Sequence, residues 1–329
     1  MAVHLTLACS VTDRTQGLRD GSVRADGVDL TFLGLPVEEI FFRMARFGEF
    51  DAAEFSLSSY VLSLGRADPP FIAIPAFPSR AFRHSGIYVH AGSGITRPAD
   101  LAGRTVGLAE YQLTANVWIR GILAEHYGVP VDSVRYRTGG LHQPGRVEKQ
   151  PLSLPPGVRV EPIGSGQTLA QMLVDGEIDA LYTPRTPEPY AAGRPEVARL
   201  FPDVRREEEQ YFAATGIFPI MHTVVLRRDV YAAHRWLARS LLTAFEAARQ
   251  QAAAGLDETA ALKYMLPWLP EEAARTRALL GPDYWCYGLP GNARTLETFL
   301  RYAREQGLAG PELEPAGLFA PETLEDYVV

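Results

Sequence analysis

Lysine is nearly absent from this chain, occurring only at Lys149 and Lys263, and cysteine occurs only at Cys9 and Cys286. Two thiols so far apart in sequence fit neither a disulfide framework nor a zinc-ligand spacing, so both are expected to be buried thiols. No window of about 18 apolar residues exists, which excludes a membrane-spanning helix. The segment before Cys9 has no basic flank and is too short for the apolar stretch of roughly 7 to 15 residues that a secretory signal needs. A cytoplasmic location is therefore expected. No run of Lys and Arg rises above the background of a chain with net charge −7, which argues against a nucleic-acid partner. Walker and dinucleotide-binding patterns, internal repeats and low-complexity tracts are also missing. The skew from Lys to Arg is read as base composition rather than chemistry.

What is present is ample apolar material spread over 329 residues. Single cores seldom grow past about 250 to 300 residues, so two domains are expected. Val3 to Cys9 alternates like a strand and runs into a polar loop, Ser10 to Gly17, at what would be the strand's carboxyl end. In open α/β sheets that is where ligands bind. Val28 to Leu33 reads as a second strand, Val37 to Arg46 as a helix, and Phe50 to Tyr60 as a short strand entering a serine-rich helix start. Further along, Phe71 to Pro75 and Phe218 to Leu226 read as strands, and residues 230–254 and 258–266 as helices. Leu318 to Tyr327 suggests a short capping helix.

The stretch Asp100 to Asn116 reads as loop, buried strand and helix start, and Trp118 to Tyr127 as a helix ended by Gly128. With Glu177 to Tyr182, it is similar to the second domain of bilobal solute-binding proteins. The expected fold is therefore α/β, a two-lobed type II periplasmic-binding-protein-like architecture. Each lobe would be a mixed sheet flanked by helices, with two hinge crossings between them. Residues 1–90 plus 218–329 would form the first lobe, and 91–217 the second.

A more specific resemblance is carried by Phe77 to His84, Tyr111 to Ala115 with Trp118 to Arg120, Gly139 to Arg146, and Phe218 to His222. These segments resemble the 4,5-dihydroxyphthalate decarboxylase family over nearly the whole chain. The resemblance implies a solute-binding-protein fold and removal of one carboxylate from a dihydroxylated aromatic diacid, giving protocatechuate. A non-enzymatic binding protein for a small aromatic or aliphatic carboxylate is the alternative. An enzyme for another aromatic acid is a third reading.

The site residues follow from chemistry and position. Loss of CO₂ from a ring requires the ring carbon to be protonated, helped by electron release from a para hydroxyl. An organic cofactor is not required, and none is expected, with a divalent metal left open. The protein must supply cations for two carboxylates, a general base, a general acid and a dry site. Histidine suits proton transfer, so His222 and His84 are the catalytic candidates. Arg14, Ser58, Ser59, Arg80 and Arg83 are candidate substrate contacts, as are Thr114, His142, Arg146 and Arg185. Each has a bland competitor: His222 lies in an apolar run as a core histidine would, Ser58 and Thr114 could be helix caps, and the arginines could pair with surface acids. Tyr60 and Tyr111 could stack on a ring, whereas Trp118 is expected in the core. The implied partner is a small aromatic carboxylate, with neither membrane nor nucleic acid involved and homo-oligomer formation left open.

Overall fold

The computed structural model describes residues 2–324. In chain order, the strands of the described residues are β1 (Val3–Cys9), β2 (Val28–Gly34), β3 (Ala52–Ser56), β4 (Phe71–Arg80), β5 (Ile87–His90), β6 (Thr105–Leu108), β7 (Arg135–Thr138), β8 (Arg159–Pro162), β9 (Ala180–Tyr182), β10 (Val197–Arg199) and β11 (Ile220–Arg227). The α-helices are α1 (Asp13–Asp20), α2 (Val37–Phe47), α3 (Leu57–Ser63), α4 (Thr114–Tyr127), α5 (Leu169–Val174), α6 (Glu188–Ala191), α7 (Val204–Thr215), α8 (Arg228–Ala233), α9 (Leu237–Ala254), α10 (Leu269–Leu280) and α11 (Ala293–Glu305). The chain divides into two units. Among the described residues, unit 1 holds residues 2–80, 220–297 and 313–324, and unit 2 holds residues 81–219 and 298–312.

Unit 1 is built on a sheet of order β2-β1-β3-β11-β4. β1 runs parallel to β2 and β3, while β11 is antiparallel to both β3 and β4. Every residue of β3 is buried, as expected of a central strand covered on both faces. α2 turns Ile40, Phe41 and Met44 inward and ends at Gly48, whose positive φ lets its N–H reach Met44 O at 2.9 Å. The β11–β4 ladder is broken between His222, paired with Ser79, and Val224, paired with Ile74. Residues 75–78 bulge out at that break. Pro75 and Pro78 cannot donate to a ladder, which suits them to a bulge. The bulge carbonyls are taken up by other donors: Pro75 O by Gly288 N–H (2.8 Å), Phe77 O by Trp285 Nε1 (3.0 Å) and Pro78 O by Arg14 Nε (2.5 Å).

Unit 2 carries a sheet of order β10-β5-β9-β6-β7-β8, parallel from β9 through β8 and antiparallel at β5 and β10. Tyr88, Leu169, Met172, Leu173, Ile178 and Leu181 form one core of this unit. Trp118 is fully buried in α4 and packs on Phe299 and Tyr302. Buried Arg120 donates from Nε to Gln306 Oε1 (2.7 Å) and from Nη2 to Tyr111 O (2.7 Å).

Several expectations need correction. The division falls at residues 80 and 220 rather than 90 and 218, and residues 298–312 go with unit 2. The chain therefore passes between units four times, not twice. The reason is the packing of α4 on Phe299, Tyr302 and Gln306, a contact between residues far apart in sequence. The loop after β1 is only three residues long, because Thr12 and Thr15 cap one another and start α1 at Asp13. Residues 258–266 are not helical. Pro267 disfavours helix before it, and α10 begins at Leu269 with Pro270 in its first turn. The helix expected over 230–254 is split at His234, whose φ of −144° leaves the helical region. Cys9 is buried, but Cys286 is only half-buried. The tail forms short 3-10 turns at Pro315–Leu318 and Pro321–Thr323, and residues 325–327 of the expected capping helix lie outside the described residues.

A Cβ on Gly121 would stand 2.1 Å from the Tyr302 ring. Gly121→Ala should therefore destabilise unit 2 by roughly 1–3 kcal/mol, although alanine favours helix. Urea denaturation followed by tryptophan fluorescence checks this, and an unchanged or raised midpoint would contradict it.

Candidate active site

The site is built at the carboxyl ends of β1 and β3, where β11 begins. His222 pairs across the ladder with Ser56, and Val224 pairs with Glu54, so Glu54 is the diagonal neighbour of His222. Long side chains at such positions meet on one face of a sheet. The His222 Nδ1–H donates to Glu54 Oε1 at 2.6 Å. The other carboxylate oxygen, Oε2, accepts from Ser10 N–H (2.9 Å), Ser10 Oγ (2.5 Å) and Cys9 Sγ (3.3 Å). Phe41 stands edge-on to the imidazole with centroids 4.9 Å apart. Nε2 makes no hydrogen bond among the described residues, and 17% of the His222 side chain is exposed.

Glu54 is 1% exposed. Burial works against its charge, but the His222 hydrogen bond and charge, followed by the Ser10 donors, prevail and hold its carboxyl at about 2. The Cys9 thiol is pushed well up, by burial first and by the Glu54 charge second, so it stays protonated as a donor.

The other unit 1 candidates are Ser58, Ser59, Arg14 and Arg80. Ser58 and Ser59 are buried in the first turn of α3, and Ser56, the residue paired with His222, caps that helix by accepting from Ser59 N–H at 3.4 Å. Arg14 lies over the Trp285 ring at 4.4 Å and is tied to Asp13 (2.7 Å) and to Pro78 O. Arg80 is buried, donating to Cys286 O (2.9 Å) and to Asn292, and desolvation lowers it to about 10. Both arginines thus brace the bulge of β4.

The remaining candidates belong to unit 2. His84 is 1% exposed, and both its ring nitrogens are buried without a hydrogen-bond partner among the described residues. Phe201 and Tyr211 each stand 5.3 Å from its ring, and burial, with a smaller push from His126, lowers it to about 4. Arg83 is likewise lowered to about 10 by desolvation, partly offset by Glu208. Thr114 is the first residue of α4 and is buried. His142 Nε2 accepts from Glu188 N–H at 3.0 Å and so fastens the start of α6. Arg185 is exposed on the turn after β9. Arg146 is committed to buried Glu110 through Nε (2.8 Å) and Nη2 (2.6 Å), alongside Lys149 Nζ (2.5 Å). Nearby, burial raises the Glu148 carboxyl to about 7, with Tyr111 N–H opposing and Glu110 reinforcing the shift. Tyr60 and Tyr111 are both core residues, the Tyr60 hydroxyl donating to Leu318 O.

Reading by residue type missed Glu54, Ser10, Glu110 and Glu148. One signal for Glu54 lay in the sequence: a lone carboxylate among Ala52, Ala53 and Phe55 in the strand Ala52–Ser56. Among the described residues, no group of three or more His, Cys, Asp and Glu side chains is placed to hold a metal ion. No described helix is long and apolar enough to cross a membrane.

Two mixed sheets flanked by helices, with β11 returning antiparallel into the first of them, define a fold of the periplasmic-binding-protein kind. It is shared with the periplasmic sulfonate-binding protein SsuA of Methylobacillus flagellatus (TM-score 0.52, 12% identity, 98% of this chain and 92% of that one). The alkanesulfonate-binding SsuA of Xanthomonas axonopodis pv. citri, bound to MOPS, matches at TM-score 0.50 and 12% identity over 98% of each chain. No family model matches the chain. Its sequence is 42% identical over 327 residues, 99% of each chain, to a 4,5-dihydroxyphthalate decarboxylase of Comamonas testosteroni. It is also 42% identical over 212 residues, 64% of this chain and 82% of the relative, to one of Pseudomonas putida. The chain belongs to the 4,5-dihydroxyphthalate decarboxylase family.

His84 yields a pH prediction. A histidine held neutral in the folded state binds fewer protons there than when unfolded. Its contribution is therefore complete above the unfolded value of 6.5 and falls as pH drops toward about 4. Between about pH 7 and about pH 5, stability should fall by roughly 2 kcal/mol on this account. Denaturation midpoints of wild type and His84→Phe at both pH values check it. Equal losses in the two proteins would contradict it.

Proposed function

We propose that this protein removes one carboxylate from 4,5-dihydroxyphthalate, giving protocatechuate and CO₂, with His222 as the proton carrier. The observation that carries the reading is the imidazole held on a buried, ionised carboxylate at the carboxyl ends of β1 and β3, with Nε2 outside any described hydrogen bond. The family to which the chain belongs supplies the substrate class.

The chemistry needs little more than placement and proton transfer. Loss of the proton of the hydroxyl para to the departing carboxylate, which passes to water, pushes electron density onto the ring carbon bearing that carboxylate. Nε2–H of His222 donates its proton there, the carbon–carbon bond breaks, its electron pair restores the aromatic ring, and CO₂ leaves. The electrons come from the substrate itself, so no organic cofactor takes part in this scheme. His222 fits the role better than His84, whose ring is enclosed by Phe201 and Tyr211 with both nitrogens buried. Ser58 and Ser59 begin the helix next to Ser56 and are proposed as contacts for substrate oxygens. Arg14 and Arg80 contribute positive field from fixed positions that also hold the β4 bulge.

Incubation with 4,5-dihydroxyphthalate should yield protocatechuate and CO₂ in equal amounts, followed by chromatography and CO₂ detection. Absence of turnover, with and without added divalent metal, would remove this substrate. His222→Asn should lower kcat by at least about 10²-fold. An unchanged rate would move proton transfer to another group.

A further inference from the structure

The proton carrier has a partner that residue type did not suggest. Glu54 has no exposure to spare for water, yet both carboxylate oxygens are engaged: Oε1 by His222, and Oε2 by Ser10 through backbone and hydroxyl and by Cys9. The donors come from the end of β1 and the start of β11, the two strands that flank β3. A buried ion pair is weak evidence for stability alone, since well-packed apolar residues often do as well. A carboxylate kept on a histidine that is itself partly open to solvent is better explained by what it does to the ring.

We propose that Glu54 is a positioning residue: it holds Nδ1–H of His222 so that Nε2 is the only ring nitrogen able to exchange a proton with the substrate. Ser10 acts one step further out, fixing the carboxylate that fixes the ring. Carboxylates behind a ring-orienting histidine commonly select its tautomer and stabilise the imidazolium without taking up the proton. The proton balance is simple. Nε2–H goes to the ring carbon, Nδ1–H stays in its bond to Oε1, and Nε2 is reprotonated afterwards from water, which also returns a proton to the phenolate of the product. Glu54 stays ionised throughout, in keeping with a carboxyl held at about 2.

This inference rests on the proposed role of His222, and its tests separate the two. In the wild-type protein, ¹⁵N-edited NMR should show a strongly downfield imidazole N–H proton, assigned to His222 by its loss in His222→Asn. Glu54→Gln should remove or markedly shift that resonance, whatever the substrate. In turnover of 4,5-dihydroxyphthalate, Glu54→Gln should reduce kcat on the order of 10²-fold while KM stays within about threefold, and Glu54→Asp should recover part of the loss. Absence of the downfield proton in the wild type overturns the positioning role, and that measurement needs no folded variant. A folded Glu54→Gln with wild-type kcat overturns it too. Failure of the wild type to turn over the substrate, with the resonance present and lost in Glu54→Gln, would strike the proposed reaction and leave the positioning geometry standing.

Discussion

A carboxylate buried beyond the reach of water must be matched by donors or it will not stay charged, and unit 1 is arranged around that demand at Glu54. An uncompensated buried charge costs several kcal/mol. Here four donors from three residues meet it, one of them the imidazole of His222. The consequences reach outward along the chain. β1 must end where Ser10 can present both backbone and hydroxyl, β11 must enter with His222 opposite Ser56, and α2 must bring Phe41 against the ring.

The bulge in β4 obeys the same accounting for backbone groups. Two prolines take residues 75–78 out of the ladder, and the carbonyls so released find Gly288, Trp285 and Arg14. Arg80 closes the arrangement by donating to Cys286 O. The two arginines that brace the bulge are therefore anchored by the fold. Their positive charge is fixed in place, whereas a lysine would present a mobile one.

Fold and chemistry are carried by different evidence. At 12% identity, the sulfonate-binding proteins share the arrangement of sheets and helices, and such an arrangement hosts many unrelated functions. Family membership rests on 42% identity over 99% of the chain. The Glu54–His222 pair is the local feature on which the proposed proton transfer rests.

The sequence by itself determined most strands, because alternation and apolar runs are local signals: Val3–Cys9, Val28–Gly34 and Ile220–Arg227 were all legible. It also determined the family, through segments dispersed over the chain, and marked His222 by residue type and position. Helices were read less well where proline or a capping pair set the boundary, as at α1 and α10. Only the tertiary structure decided that Glu54 is the partner of His222, that Arg146 is committed to Glu110, that His84 is enclosed by aromatic rings and that residues 298–312 go with α4. The partners in the first two pairs lie 168 and 36 positions apart. Periodicity reports which face of a strand or helix is buried, whereas strand order and register decide which side chain waits there.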